Sequence, residues 1–210
     1  MLSGIIFSIV LFSWPLFMAL FQPTGSEEEQ LNSILSHLFI YKLQFINAFL
    51  IGPSLIYMML VQLQKNPRGG RIYTKMGKMF LALYLVSVSI SYGSQFILFP
   101  GLLKTGLLEQ TKVWYFGSFS SIPYFFNQLG YFFWALGALL LFSRGIRLKG
   151  MLKYLSLLYV ASAILSILAF VGFILHHKAI NSMTLISGLL LIPTGVMTFI
   201  WGFRERPLKK

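Results

Sequence analysis

Six long apolar runs, residues 2–22, 37–63, 77–100, 121–143, 152–175 and 181–203, dominate the chain, and the connections between them carry nearly all of its charge. Each run is long enough for a helix to cross a bilayer, which takes about 20 residues. Backbone in hydrocarbon must satisfy its hydrogen bonds internally, so runs of this length predict helices rather than the shorter strands of a barrel. The expected fold is therefore all-α: a polytopic membrane protein in which residues 1–210 form one bundle of six transmembrane helices.

Punctuation between the runs agrees with this division. In "PTGSEEEQL", Ser26 stands three residues before Glu29, a capping-box spacing that starts a helix ahead of the second run. "KNPRGGR" combines Pro67 with Gly69 and Gly70 and predicts a turn. Ser121 and Pro123 suit a helix start, because proline in the first turn gives up an N–H that has no partner there. Residues 101–120 read as a longer connection, with Trp114 and Tyr115 expected at the lipid–water boundary. Pro15, Pro53 and Pro193 fall inside runs, where each removes one helical hydrogen bond and permits a kink.

Within the runs, polar and small residues recur at helical spacing. Tyr84, Ser87, Ser91 and Gln95 share a stripe, as do Tyr124, Asn127, Tyr131, Trp134 and Ala138. Tyr159, Ser162, Ala163 and Ser166 form another, and Thr184, Ser187, Gly188, Leu191, Gly195 and Thr198 a fourth. Small and hydroxyl residues on one face are what helix contacts in lipid use. Five amides, Gln44, Asn47, Gln95, Asn127 and Gln128, gather toward one end of the second, third and fourth runs. An unpaired amide in hydrocarbon costs several kcal/mol, so they should meet one another, water or a ligand. Packing glue between helices is the first reading of these amides; the alternative is that with Tyr131 they define a candidate ligand-binding pocket between the second, third and fourth spans. Lys42 lies about 100° from Tyr41 on the helical wheel, away from these amides. It reads as a headgroup anchor whose stem lifts the ammonium to the membrane surface, or else as the partner of Glu27, Glu28, Glu29 or a ligand carboxylate.

Charge changes the picture by orienting the bundle. The formal net charge is +12, and 13 of the 17 Lys and Arg fall in the second connection, the fourth connection or the C-terminal tail. The positive-inside rule then places both termini and these two loops in the cytoplasm, with the amides in the outer half of the membrane. Basic residues confined to helix ends also argue against a nucleic acid partner. The first run lacks a basic leader and a small-residue cleavage pattern, and so reads as a retained span.

The chemistry available is narrow. There is no Cys and no Asp, and the five Glu (27, 28, 29, 109 and 205) all lie between or beyond the runs. Proton-coupled transporters and intramembrane hydrolases usually keep a carboxylate inside the bundle. Only His37, His176 and His177 remain as candidate bases, and their placement suggests no metal shell and no haem pair. No metal, cofactor or catalytic residue is expected, which makes an enzyme acting on lipid the weakest of the functional readings.

The stretch from Gly130 to Phe173, with its Trp-x-x-Gly element at Trp134 and Gly137, resembles the fourth and fifth helices of small bacterial six-helix integral membrane proteins classed as a domain of unknown function. That resemblance implies a multi-pass protein of the bacterial inner membrane and supplies no activity. The function expected first is a non-enzymatic subunit or partner within a larger membrane assembly, with lipids and protein partners around it. The alternative is a binding or transport module for a lipid or an apolar or amphipathic small ligand, with an outward-opening polar pocket between the second, third and fourth spans.

Overall fold

A computed structural model describes residues 2–65 and 70–204. Six of its helices are long and apolar enough to cross a membrane. In chain order the helices are α1 (Leu2–Leu20), α2 (Glu27–Ser36), α3 (Leu38–Lys65), α4 (Arg71–Ile97), α5 (Phe99–Thr105), α6 (Leu108–Val113), α7 (Ile122–Phe142), α8 (Met151–Ile174), α9 (Lys178–Asn181) and α10 (Met183–Arg204). A 3₁₀ turn, Ser143–Arg147, follows α7. The long helices match the six apolar runs, and no strand occurs among the described residues.

Boundary differences have local causes. The capping box at Ser26 and Glu29 forms and starts α2. Ser121 accepts from the Tyr124 N–H at the start of α7, where Pro123 occupies the first turn. The third span is longer than its apolar run, because α4 begins at Arg71 and α5 extends it after a break beside Pro100. Residues 101–120, read as a longer connection, hold the end of α5 and all of α6. The expected turn at Pro67 and Gly69 lies outside the described residues, as do Arg68, Glu205, Arg206, Lys209 and Lys210.

Each long helix packs on the next in chain order, and α10 returns to α1, so the six close a ring. The short helices α2, α5, α6 and α9 gather at one end, the capped end; the end of α3, the start of α4 and the Ser143–Arg147 turn lie at the other, the basic end. Small residues set the seams. A Cβ added to Gly137 on α7 would come within 2.9 Å of Leu81 and 3.1 Å of the Gly77 carbonyl on α4, so the two backbones meet there. The Trp-x-x-Gly element thus has a packing explanation, since Trp134 is itself completely buried. Between α8 and α10, Ser187 Oγ lies 2.8 Å from Ser162 Oγ and 2.7 Å from Ser166 Oγ. On α1, a Cβ at Gly4 would come within 2.9 Å of the Phe199 amide nitrogen of α10.

Inward faces follow the sequence stripes. Tyr84, Ser87, Ser91 and Gln95 are all buried, as are Tyr159, Ser162, Ala163 and Ser166. Toward the basic end the ring is filled by a core that includes Phe7, Met58, Met59, Tyr84, Trp134 and Tyr159. Toward the capped end it is hollow.

Candidate functional site

A cavity of about 500 Å³ occupies the capped half of the ring. Ala48, Tyr92 and Tyr131 line it where the packed core begins. Gln44 on α3 and Asn127 and Gln128 on α7 contribute amides, while Trp14 and Met18 line it from α1. Thr184 and Leu185 of α10 and Asn181 and Ser182 beside it complete the wall. Tyr115, Phe116, Gly117 and Phe119 also line it, from the segment between α6 and α7.

The segment 114–119 is held over the cavity by specific bonds. Gln95, completely buried, accepts the Tyr41 O–H at 2.7 Å and the Phe116 N–H at 3.2 Å through Oε1. Its Nε2 donates to the Trp114 carbonyl and to Ser94 Oγ, each at 3.0 Å. Tyr115 donates its hydroxyl to Gln30 Oε1 on α2. Tyr115, expected to rest against the lipid–water boundary, is instead buried against protein: its ring stacks on Phe99 at 5.7 Å and its hydroxyl donates to Gln30. Burial, together with the nearby Glu27 charge, pushes its hydroxyl up to about 12. Phe116 is wedged among Phe45, Tyr92 and Tyr124.

The candidate residues read from the sequence divide into two groups. Gln44, Asn127, Gln128 and Tyr131 line the cavity together. Asn47 and Gln95 do not. Asn47 accepts from Ser13 Oγ at 2.9 Å and donates to the Val10 carbonyl at 3.2 Å, tying α3 to α1. Gln95 spends its amide on the segment over the cavity, as described above. Lys42 is half-exposed and lies outside the cavity wall.

Among the lining amides the degree of pairing differs. Gln128 Oε1 accepts from Thr184 Oγ1 at 3.1 Å. Asn181 Nδ2 donates to the Ala169 carbonyl at 3.1 Å, and its Oδ1 accepts the Tyr124 hydroxyl. Gln44 Nε2 faces only the Met18 sulfur, a weak acceptor. Asn127 is only 5 % exposed, and its Oδ1 is buried without a hydrogen-bond partner. A buried acceptor left unmade costs about 1–3 kcal/mol. Ser91 Oγ, Trp134 Nε1 and the Tyr159 hydroxyl, which do not line the cavity, are buried without a partner as well.

Chemically the wall is neutral apart from Lys178, which sits exposed at its edge. None of the three histidines lines it. His37 stacks on Phe21, His176 packs on Phe119, and His177 accepts from the Ile180 N–H to cap α9. Among the described residues no cluster of three or more His, Asp or Glu could hold a metal ion. Such a surface is suited to holding a molecule by shape and neutral hydrogen bonds.

Sequence reasoning missed α1, α9 and α10 as walls. Thr184, at the head of its stripe, was the available signal; Trp14 and Met18 had none, because nothing in a linear pattern shows that the first helix closes the ring against the last. No protein family, curated protein or solved structure matches this chain.

Proposed function

We propose that this protein is a membrane-embedded binding module for a small apolar or amphipathic molecule, held in the cavity at the capped end. The observation that carries the reading is the cavity itself, about 500 Å³ with the amide residues Gln44, Asn127 and Gln128 in its wall. Ligand sites are typically clefts of about 300–1,000 Å³, mostly apolar with a few placed polar groups. The basic end faces the cytoplasm by the positive-inside rule, which puts both termini inside and the cavity in the outer half of the bilayer. A bacterial inner membrane is the setting implied by the resemblance of residues 130–173.

The test is to purify the protein in mild detergent, extract it, and identify what is released. The expected result is one small molecule in stoichiometric amount, lost from Asn127→Leu and weakened in Gln44→Leu and Gln128→Leu. Parent and variants releasing the same bulk phospholipid, with nothing else, would overturn the reading. A stoichiometric protein partner together with an empty cavity would favour the alternative, a non-enzymatic subunit of a larger assembly.

A further inference from the structure

Access to the cavity is asymmetric. Segment 114–119 covers part of it at the capped end, bonded through Gln95 and through Tyr115 to Gln30, with the exposed Lys178 and Ser182 at the remaining edge. The wall between α1 and α10 is different. These two helices are drawn together near the basic end, where a Cβ on Gly4 would meet Phe199 and one on Gly195 would come within 2.6 Å of Ser8 Oγ. Trp14 stands ten residues above Gly4 and Thr184 eleven above Gly195, about 15 Å farther along each helix at 1.5 Å per residue. At that height both line the cavity. Leu185, also in the wall, is 59 % exposed, and Leu189 one turn along α10 and Leu16 on α1 are exposed as well. In an apolar helix ring that exposed surface faces lipid.

We propose, resting on the binding reading above, that the cavity is loaded sideways from the bilayer through the gap between α1 and α10, and that its ligand is an uncharged, membrane-dissolved amphipath bearing a hydroxyl or carbonyl. The class follows from the wall. Among the described residues no carboxylate lines it and the one cation that does, Lys178, is exposed at the edge, so a charge carried inward would find no counterion. The Asn127 and Gln44 amides, with Tyr92 and Tyr131, whose hydroxyl oxygens lie 3.3 Å apart, offer neutral donors and acceptors among aromatic rings. A hydroxyl or carbonyl pairs with these, and an alkyl or isoprenoid body fits Trp14, Phe45 and Phe116.

Because the chain has no Cys, a single introduced thiol reports access without background. Ala48→Cys places one at the inner limit of the cavity with little change in volume. The variant, reconstituted in phosphatidylcholine vesicles at about pH 7.5, where lysine amines stay protonated and unreactive, is treated either with an alkyl maleimide dissolved in the bilayer or with a sulfonated maleimide added to the water. The alkyl reagent should react about tenfold faster or more, since the sulfonate cannot cross the hydrocarbon side. Leu185→Trp on the same background should slow the alkyl reagent alone. A long-chain alcohol should protect the thiol, and the carboxylate of equal length should not. Equal or faster reaction with the sulfonated reagent, still blocked by the alcohol, would overturn lateral loading while leaving a binding cavity. Protection by the carboxylate as strong as that by the alcohol would overturn the ligand class. No reaction with either reagent, when the denatured variant reacts with both, would overturn the lateral route and the binding reading together.

Discussion

Replacing Gln95 by Leu should release the segment over the cavity while leaving the bundle assembled. The glutamine links α4 to three groups outside its own helix: the Tyr41 hydroxyl, the Phe116 N–H and the Trp114 carbonyl. Its fourth bond, to Ser94, matters less, because Ser94 Oγ already donates to the Ser91 carbonyl at 2.8 Å. Interhelical hydrogen bonds in membrane proteins average about 0.6 kcal/mol each, so the three together hold the segment by about 2 kcal/mol. Since 1.4 kcal/mol is a factor of ten, amide exchange at residues 114–118 should accelerate about 30-fold. Hydrogen exchange of the protein in lipid nanodiscs measures this directly. Asn47→Leu is the matching control. It removes bonds of similar kind between α1 and α3, so it should lower thermal stability without changing exchange at 114–118. Unchanged exchange in Gln95→Leu, or equal acceleration in Asn47→Leu, would refute the assignment of Gln95 as the latch.

Other substitutions test the seams, the cavity and the cap. Gly4→Val should lower the thermal midpoint and loosen α1 from α10, because its Cβ would strike the Phe199 backbone rather than a yielding side-chain tip; an unchanged midpoint would show that the contact is looser than 2.9 Å implies. Ser187→Ala removes the hydroxyl shared by Ser162 and Ser166 and should cost about 1 kcal/mol, read as detergent-denaturation midpoint. Asn127→Leu should raise the stability of the empty protein by about 1 kcal/mol, since it deletes a buried acceptor without a partner, even as it removes binding. Hydrogen bonds from the Ser26 N–H and hydroxyl hold the Glu29 carboxyl below its ordinary value. The cap's contribution is therefore present above the ordinary glutamate range and is lost as pH falls through the lowered value, which exchange at the start of α2 should follow. Tyr115 works in the opposite direction: burial pushes its hydroxyl from the ordinary 10.0 up to about 12, so its contribution is complete below about pH 10 and should be lost as pH rises toward 12.

The sequence by itself determined the helices, because each element answers to a local cause. Apolar runs of bilayer length leave the backbone no alternative to internal hydrogen bonding, and Ser26, Ser121 and Pro123 mark helix starts through bonds made within a few residues. The buried stripes were legible too, since residues sharing a helical face must share its neighbour. What the amides do was not legible. Gln44, Asn47, Gln95, Asn127 and Gln128 look alike in a linear pattern, yet Asn47 and Gln95 are consumed by packing while Gln44, Asn127 and Gln128 border a cavity. That division depends on which helices meet. The closure of α10 onto α1 brings Thr184 and Leu185 opposite Trp14 and Met18, residues more than 160 positions apart, across a space no local spacing encodes. Local bonding energies write the secondary structure into short windows of sequence; the hollow at the capped end exists because six helices packed tightly near the basic end leave room at the other.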